Sequence, residues 1–143
     1  TVSDHADADK GGGLYIAGVN TVSHVTMTRG SVSGNTAKTN GAGISATGGS
    51  LSLVDVELTG NSRTTTATFL NGGALYAANV DVSVDGALFD QNDAHSGAGA
   101  QFANCPDVQL NGSVFTRNTG QLFADISLIS IQNHFTKNPI IRR

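Results

Sequence analysis

Apolar and polar residues alternate along this chain in short stretches, each broken by Gly, Asn, Asp or Ser. Gly/Ala-rich turns run into apolar stretches at GGGLYIAG (11 to 18), GAGISATG (41 to 48), GGALYAAN (72 to 79) and GAGAQFAN (97 to 104), with a degenerate copy in GQLFAD (120 to 125). Superposed, they give a column of Leu14, Ile44, Leu75, Ala100 and Leu122, and two residues on a second column of Ile16, Ala46, Ala77, Phe102 and Ala124. A spacing of two puts both columns on one face of a strand.

A second marker keeps the same phase. An apolar residue stands three positions before an asparagine in the pairs Val32 and Asn35, Leu58 and Asn61, Phe89 and Asn92, Phe115 and Asn118, and Phe135 and Asn138. The asparagines lie 26, 31, 26 and 20 residues apart, a period expected of stacked units that bury a core jointly. Ten residues before each asparagine lie Val25, Leu51, Val82, Val108 and Leu128, and eight before lie Met27, Leu53, Val84, Leu110 and Ser130. Gly, Asn, Asp and Ser between these strands supply the positive-φ corners that a coil needs at every turn. No stretch carries a 3.6-residue period.

The pattern predicts an all-β fold, a right-handed parallel β-helix of about five rungs over residues 11 to 138. Residues 1 to 10 read as an acidic extension and 139 to 143 as a tail. The apolar members of the marker form a stacked core. The asparagines form a ladder, since an amide carries donors and an acceptor and can bond to its copy one rung away.

Composition narrows the class without naming a ligand. The chain has 143 residues, 18 glycines, 2 prolines, no tryptophan and 13% charged residues, as suits one β-rich domain. A net charge of −3, with Lys and Arg dispersed apart from the final Arg142-Arg143, gives no basic stripe for nucleic acid or anionic lipid. Apolar runs are too short to span a bilayer, and the polar, acidic start is unlike a signal peptide. Cys105 is alone and has no basic neighbour in ANCPDV, so it reads as a small buried side chain. Asn111-Gly112-Ser113 is a glycosylation sequon.

The pairing of GGA(I/L/V) with FxxN resembles the repeat of the chlamydial polymorphic outer membrane proteins. GGAL at 72 to 75 fits in full, as do Phe89 with Asn92, Phe115 with Asn118 and Phe135 with Asn138; GGGL, GAGI and GAGA are variants, and Val32 and Leu58 replace Phe. The resemblance covers about residues 11 to 138. It implies an extracellular or cell-surface β-helical passenger or stalk, linked with adhesion. The family's membrane barrel has no counterpart in this sequence.

The ends and inserts carry the remaining candidates. In ISLISI (126 to 131), both strand faces are apolar, which calls for cover on both sides. Ile126, Leu128, Ile129, Ile131, Ile140 and Ile141 are therefore expected to dock against a protein partner, a further copy or another domain. The insert SRTTTATFL (62 to 70) reads first as a surface excursion, with Arg63 and Phe69 as binding candidates. Asp4, His5, Asp7 and Asp9 suit a solvated terminus better than a cation site.

Parallel β-helices also house polysaccharide lyases and glycoside hydrolases, which use carboxylates aligned between rungs. Asp81 and Asp107 share a column on neighbouring rungs, with Asp85 four positions along the strand, and they are the candidate metal set, for calcium or a glycan. No acid and base pair of glycosidase spacing accompanies them. The stretch 81 to 86 mimics a calcium loop, but its twelfth position is Asn92 rather than Glu. Arg29 and Asp55 share a column as a surface ion pair; His24, His95 and His134 fall in different columns; Thr26, Ser52, Ser83, Gln109 and Ile129 make no threonine row for ice. The expectation is a non-enzymatic structural or adhesive segment with no cofactor, the alternative a carbohydrate-active or glycan- and calcium-binding β-helix.

Overall fold

The computed structural model describes residues 1–18, 23–64, 68–129, 134–137 and 140–142, with the side chains of 134–137 left undescribed. Among these residues there is no helix, and the strands stack in parallel as a β-solenoid of about five turns. The first rung holds β1 (Val2–Ser3), β2 (Ala8–Lys10) and β3 (Leu14–Ala17), and the second β4 (His24–Ser33), β5 (Thr36–Asn40) and β6 (Ile44–Thr47). The third holds β7 (Ser50–Thr59), β8 (Ser62–Arg63) and β9 (Leu75–Ala78). Then come β10 (Asp81–Asp85), β11 (Leu88–Asp90), β12 (Asp93–Ser96) and β13 (Ala100–Ala103), followed by β14 (Asp107–Asn111), β15 (Val114–Thr116), β16 (Thr119–Leu122) and β17 (Ile126–Ile129). A partial last rung has β18 (His134–Lys137) and β19 (Ile140–Arg142).

Each strand lies beside its counterpart one rung away. Leu14, Ile44, Leu75 and Ala100 form one inward column, and Val25, Leu51, Val82 and Val108 another. Corners are set by positive φ, which glycine adopts at least cost. One corner column reads Gly11, Gly41, Gly72, Gly97 and Phe123, and the one before the asparagines reads Asp4, Gly34, Gly60, Gln91 and Arg117. Arg29 and Asp55 hold a third corner, with φ of 49° and 52°, and no ion pair joins them among the described residues. Their conformation explains the shared column.

The asparagine row is fully bonded inside the coil. Asn61 Nδ2 donates to Val32 O at 2.9 Å and to Asn92 Oδ1 at 3.1 Å, and Asn61 N donates to the same oxygen at 3.0 Å. Asn35 bonds to Asn61, and Asn92 to Asn118, in the same way. Beside the row, Phe89 and Phe115 stack with centroids 4.3 Å apart and planes 4° apart. Val32, Leu58, Phe89 and Phe115 are all fully buried.

The first and last rungs depart from the sequence reading. Residues 1 to 10 are no mere extension: β1 pairs with β4 and β2 with β5, and His5 N donates to Asn35 Oδ1 at 3.1 Å. At the other end Ile126 and Leu128, rather than Leu122 and Ala124, lie opposite Ala100 and Phe102. Phe123 O accepts from Gly97 N at 2.7 Å, so the corner falls at FAD and not at the glycine of GQLF. Downstream, Phe135 pairs with Val108, and Ile141 takes the place opposite Phe115. A rung needs 26 residues between Asn92 and Asn118, and the 20 that follow to Asn138 are too few for another. Residues 139 to 143 include β19, not just a tail. Asn138, Ser130 and Ile131 lie outside the described residues.

Candidate docking surface at the C-terminal end

The strand ISLI alternates, so Ile126 packs against the core and Ser127 is buried on the opposite face. In an inner rung the next turn would cover what remains. Here Leu122, Phe123, Leu128, Ile129, Ile140 and Ile141 stay 45 to 67% exposed. Isolated apolar residues on a surface are ordinary, whereas six within or beside the last strands of three sheets concentrate at one end of the coil. The sequence identified four of them; Leu122 and Phe123 were missed because the corner was placed three residues early.

A hollow of about 700 Å³ opens on this end, lined among others by Arg117, Asn118, Phe123, Asp125, Ile141 and Arg142. Asn118 Nδ2 donates to Phe89 O at 3.0 Å and to Asp125 Oδ1 at 3.2 Å. A carboxylate thus takes the place of the next amide. Asp125 is the residue that sequence reasoning overlooked: Ile44 N, Leu75 N and Ala100 N donate to the carbonyls of Ala74, Gly99 and Asp125, a position small in the inner rungs, so the carboxylate there has no copy to mark it. Arg117 closes on Asp90 through Nε to Oδ1 at 2.9 Å and through a second contact from Nη2 to Oδ2. The hydrogen bond to Asp90, then its charge, raises the Arg117 pKa above the usual arginine value. The rim thus holds the Arg117 and Asp90 pair, with Arg142 and Asp125 beside it.

The candidate aspartates lie on a different face. Asp81 and Asp107 each precede a paired valine, Val82 and Val108, and line a shallow cleft of about 120 Å³ with His24, Ser50, Ser83 and Gln109. Gln109 Nε2 donates to Asp107 Oδ2 at 2.8 Å, while Asp107 Oδ1 is buried without a hydrogen-bond partner. Asp85 stands beside Asn111, four residues and roughly 13 Å along the strand from Asp81, beyond reach of a shared ion. Among the described residues no three His, Cys, Asp or Glu side chains gather for a metal. His24 Nδ1 lies 2.6 Å from Ser50 Oγ, and its Nε2 3.0 Å from Thr26 Oγ1.

Around the insert, Phe69 is exposed and meets the His95 ring edge-on at 4.9 Å, while Leu70 anchors in a small buried cluster with Ala37, Ala42, Ala94 and Ala98. Arg63 pairs with Asp93 at 2.7 Å. His24 and His95 belong to separate sheets, and the side chain of His134 is not among those described. Cys105 is buried, its thiol donating to Ala77 O at 3.4 Å, and burial pushes its pKa up. Asn111 is exposed, but Ser113 of the sequon is buried and bonds back to Asn111 O. No helix among the described residues is long and apolar enough to cross a membrane. No family model, curated protein or solved structure matches the chain.

Proposed function

We propose that this chain is a non-enzymatic structural or adhesive segment of a larger extracellular or cell-surface protein or assembly, docking through the ends of its coil. The exposed apolar residues on the last strands carry this reading, because an open strand edge with apolar side chains is a ready template for pairing. The likeness of its GGA(I/L/V) and FxxN motifs to the polymorphic outer membrane protein repeat supports the extracellular and adhesive part. The test is the particle mass in native extract, compared for wild type and Leu128→Ser with Ile129→Ser. We expect a particle larger than the chain in wild type and a smaller one in the variant, with circular dichroism unchanged. A wild-type particle of bare chain mass sinks the docking reading.

A second reading has one observation behind it. The unpartnered Asp107 Oδ1, beside Asp81, is an acceptor suited to a sugar hydroxyl or to calcium. Titration calorimetry with calcium and with oligosaccharides, on wild type and on Asp107→Asn, tests it; absence of heat in wild type removes it.

A further inference from the structure

We infer that the occupant of the C-terminal hollow is the first rung of a second copy of this chain, so that copies stack head to tail along the coil axis. The inference rests on the docking function proposed above and names its partner. Three observations point to it.

The first is charge. Residues 1 to 10 carry Asp4, Asp7 and Asp9 against a single Lys10, whereas residues 126 to 143 carry Lys137, Arg142 and Arg143 and no acid. The acids belong to the rung that caps one end. Arg142 lines the hollow at the other, with Asp125 and with Arg117, whose charge Asp90 offsets. Asp4 and Arg117 share a corner column, four rungs apart on the same side of the coil.

The second is the shape of the steps. At the C-terminal end β18 and β19 run one rung beyond β16 and β17, leaving a ledge. At the N-terminal end the sides of β2 and β3 start one rung earlier than the side occupied by the first half of β4. The β2 and β3 strands of an incoming copy therefore fill the ledge, while β18 fits where that copy has no strand. In this register only the two-residue β1 overlaps β19, and it gives way.

The third is the apolar columns. With β3 of the second copy beneath β17, its Leu14 extends the column that ends at Ile126, and its Ile16 the column that ends at Leu128. The strands are parallel throughout, so the open edge of the last rung offers the same backbone pattern that each inner rung offers to the next. A heterologous contact of this kind does not close on itself and builds filaments rather than a dimer.

Sedimentation velocity on the purified 143-residue chain tests the inference, using charge reversals at exposed positions. Wild type is expected to form species above the monomer that grow with concentration and dissolve with salt. Asp7→Arg with Asp9→Arg, and separately Arg142→Glu, should each weaken association about tenfold or more. The chain carrying all three changes should regain it, because its ends are complementary again. A wild type that stays monomeric overturns the stacking inference, and so does failure of the triple variant to recover. If the particle in native extract is still large in the first of these cases, docking stands and the partner is another protein. Unchanged association of the Asp7 and Asp9 variant also overturns head-to-tail stacking, leaving contact between two C-terminal ends.

Discussion

The inner rungs and the last one solve the same problem by different means. Around Asn92, every polar group of the ladder has a copy of itself above and below: its amide donates to Leu58 O and Asn118 Oδ1, and its own oxygen takes two bonds from Asn61. Around Asn118 repetition stops, and the amide instead donates to a carboxylate, Asp125, from the corner of the same rung. Apolar residues show the same contrast. Phe89 lies between Leu58 and Phe115 and is fully buried, while Ile141, one rung below Phe115 in the same column, is half exposed. Repetition supplies partners only to the interior of a repeat array, so the end must find them elsewhere.

The largest expected effect breaks that contrast in the core. Phe89→Ala removes a ring stacked on Phe115 from a site with no exposure and should cost about 4 kcal/mol. Ile141→Ala, in the same column, should cost less than about 1 kcal/mol. Chemical denaturation of both variants checks the pair, and similar losses would mean that the last rung is covered in the free chain.

The ladder gives the next test. Asn92→Ala strands the backbone N–H of Asn61 and the carbonyl of Leu58 in the interior, for a loss of about 3 kcal/mol. Asn118→Ala acts where the amide is only half buried and should cost roughly half as much. Equal losses would show that Asp125 seals the end of the ladder as tightly as another asparagine.

How far the sequence could be read follows the same division. The column through Ile44, Leu75 and Ala100 and the amides Asn35, Asn61, Asn92 and Asn118 were legible because each recurs in phase, and recurrence is what a stacked fold writes into a sequence. The last rung was misread for the converse reason. Glycine marks the corner in four rungs, and where Phe123 takes that place with φ of 49° the marker vanishes. Gly120, the nearest glycine after Asn118, drew the alignment to itself although it lies within β16. Asp125 had no repeat partner of its own kind and so left no periodic trace. The exposed apolar residues of the last rung were legible only as composition, from ISLI and the two isoleucines of β19; the hollow, the arginines that line it and the stepped edges depend on which strand falls beneath which.

Phe123 and Gly97 sharpen the comparison within one corner column. A bulky residue at positive φ is strained, and Phe123→Gly should raise stability by about 0.5 to 1 kcal/mol, the relief being offset in part by the added freedom of the unfolded chain. The reverse change inside the coil should do harm. A Cβ at Gly97 would stand 2.6 Å from Ala100 O, so Gly97→Ala should lower the melting temperature while Phe123→Gly raises it. If both changes destabilise, the last corner draws its support from the Phe123 ring rather than merely tolerating it.

The smallest effect concerns pH, and it separates core from end through a single thiol. Burial pushes the Cys105 thiol up, and Tyr76 is shifted the same way, first by burial and then by Cys105. The unfolded chain therefore releases these protons before the folded one does. Their contribution is whole below the unfolded thiol value of about 8.5 and falls as pH rises past it toward the raised folded value, since the native state binds more protons in that window. Cys105→Ala removes the thiol's share, so its melting temperature should fall less than that of wild type between neutral pH and about pH 9.5. Arg117, whose pKa is raised by Asp90, stays charged across this range and gives no comparable slope. An equal alkaline loss in wild type and Cys105→Ala would assign the effect to Tyr76 alone, on the outer side of the sheet that Cys105 follows.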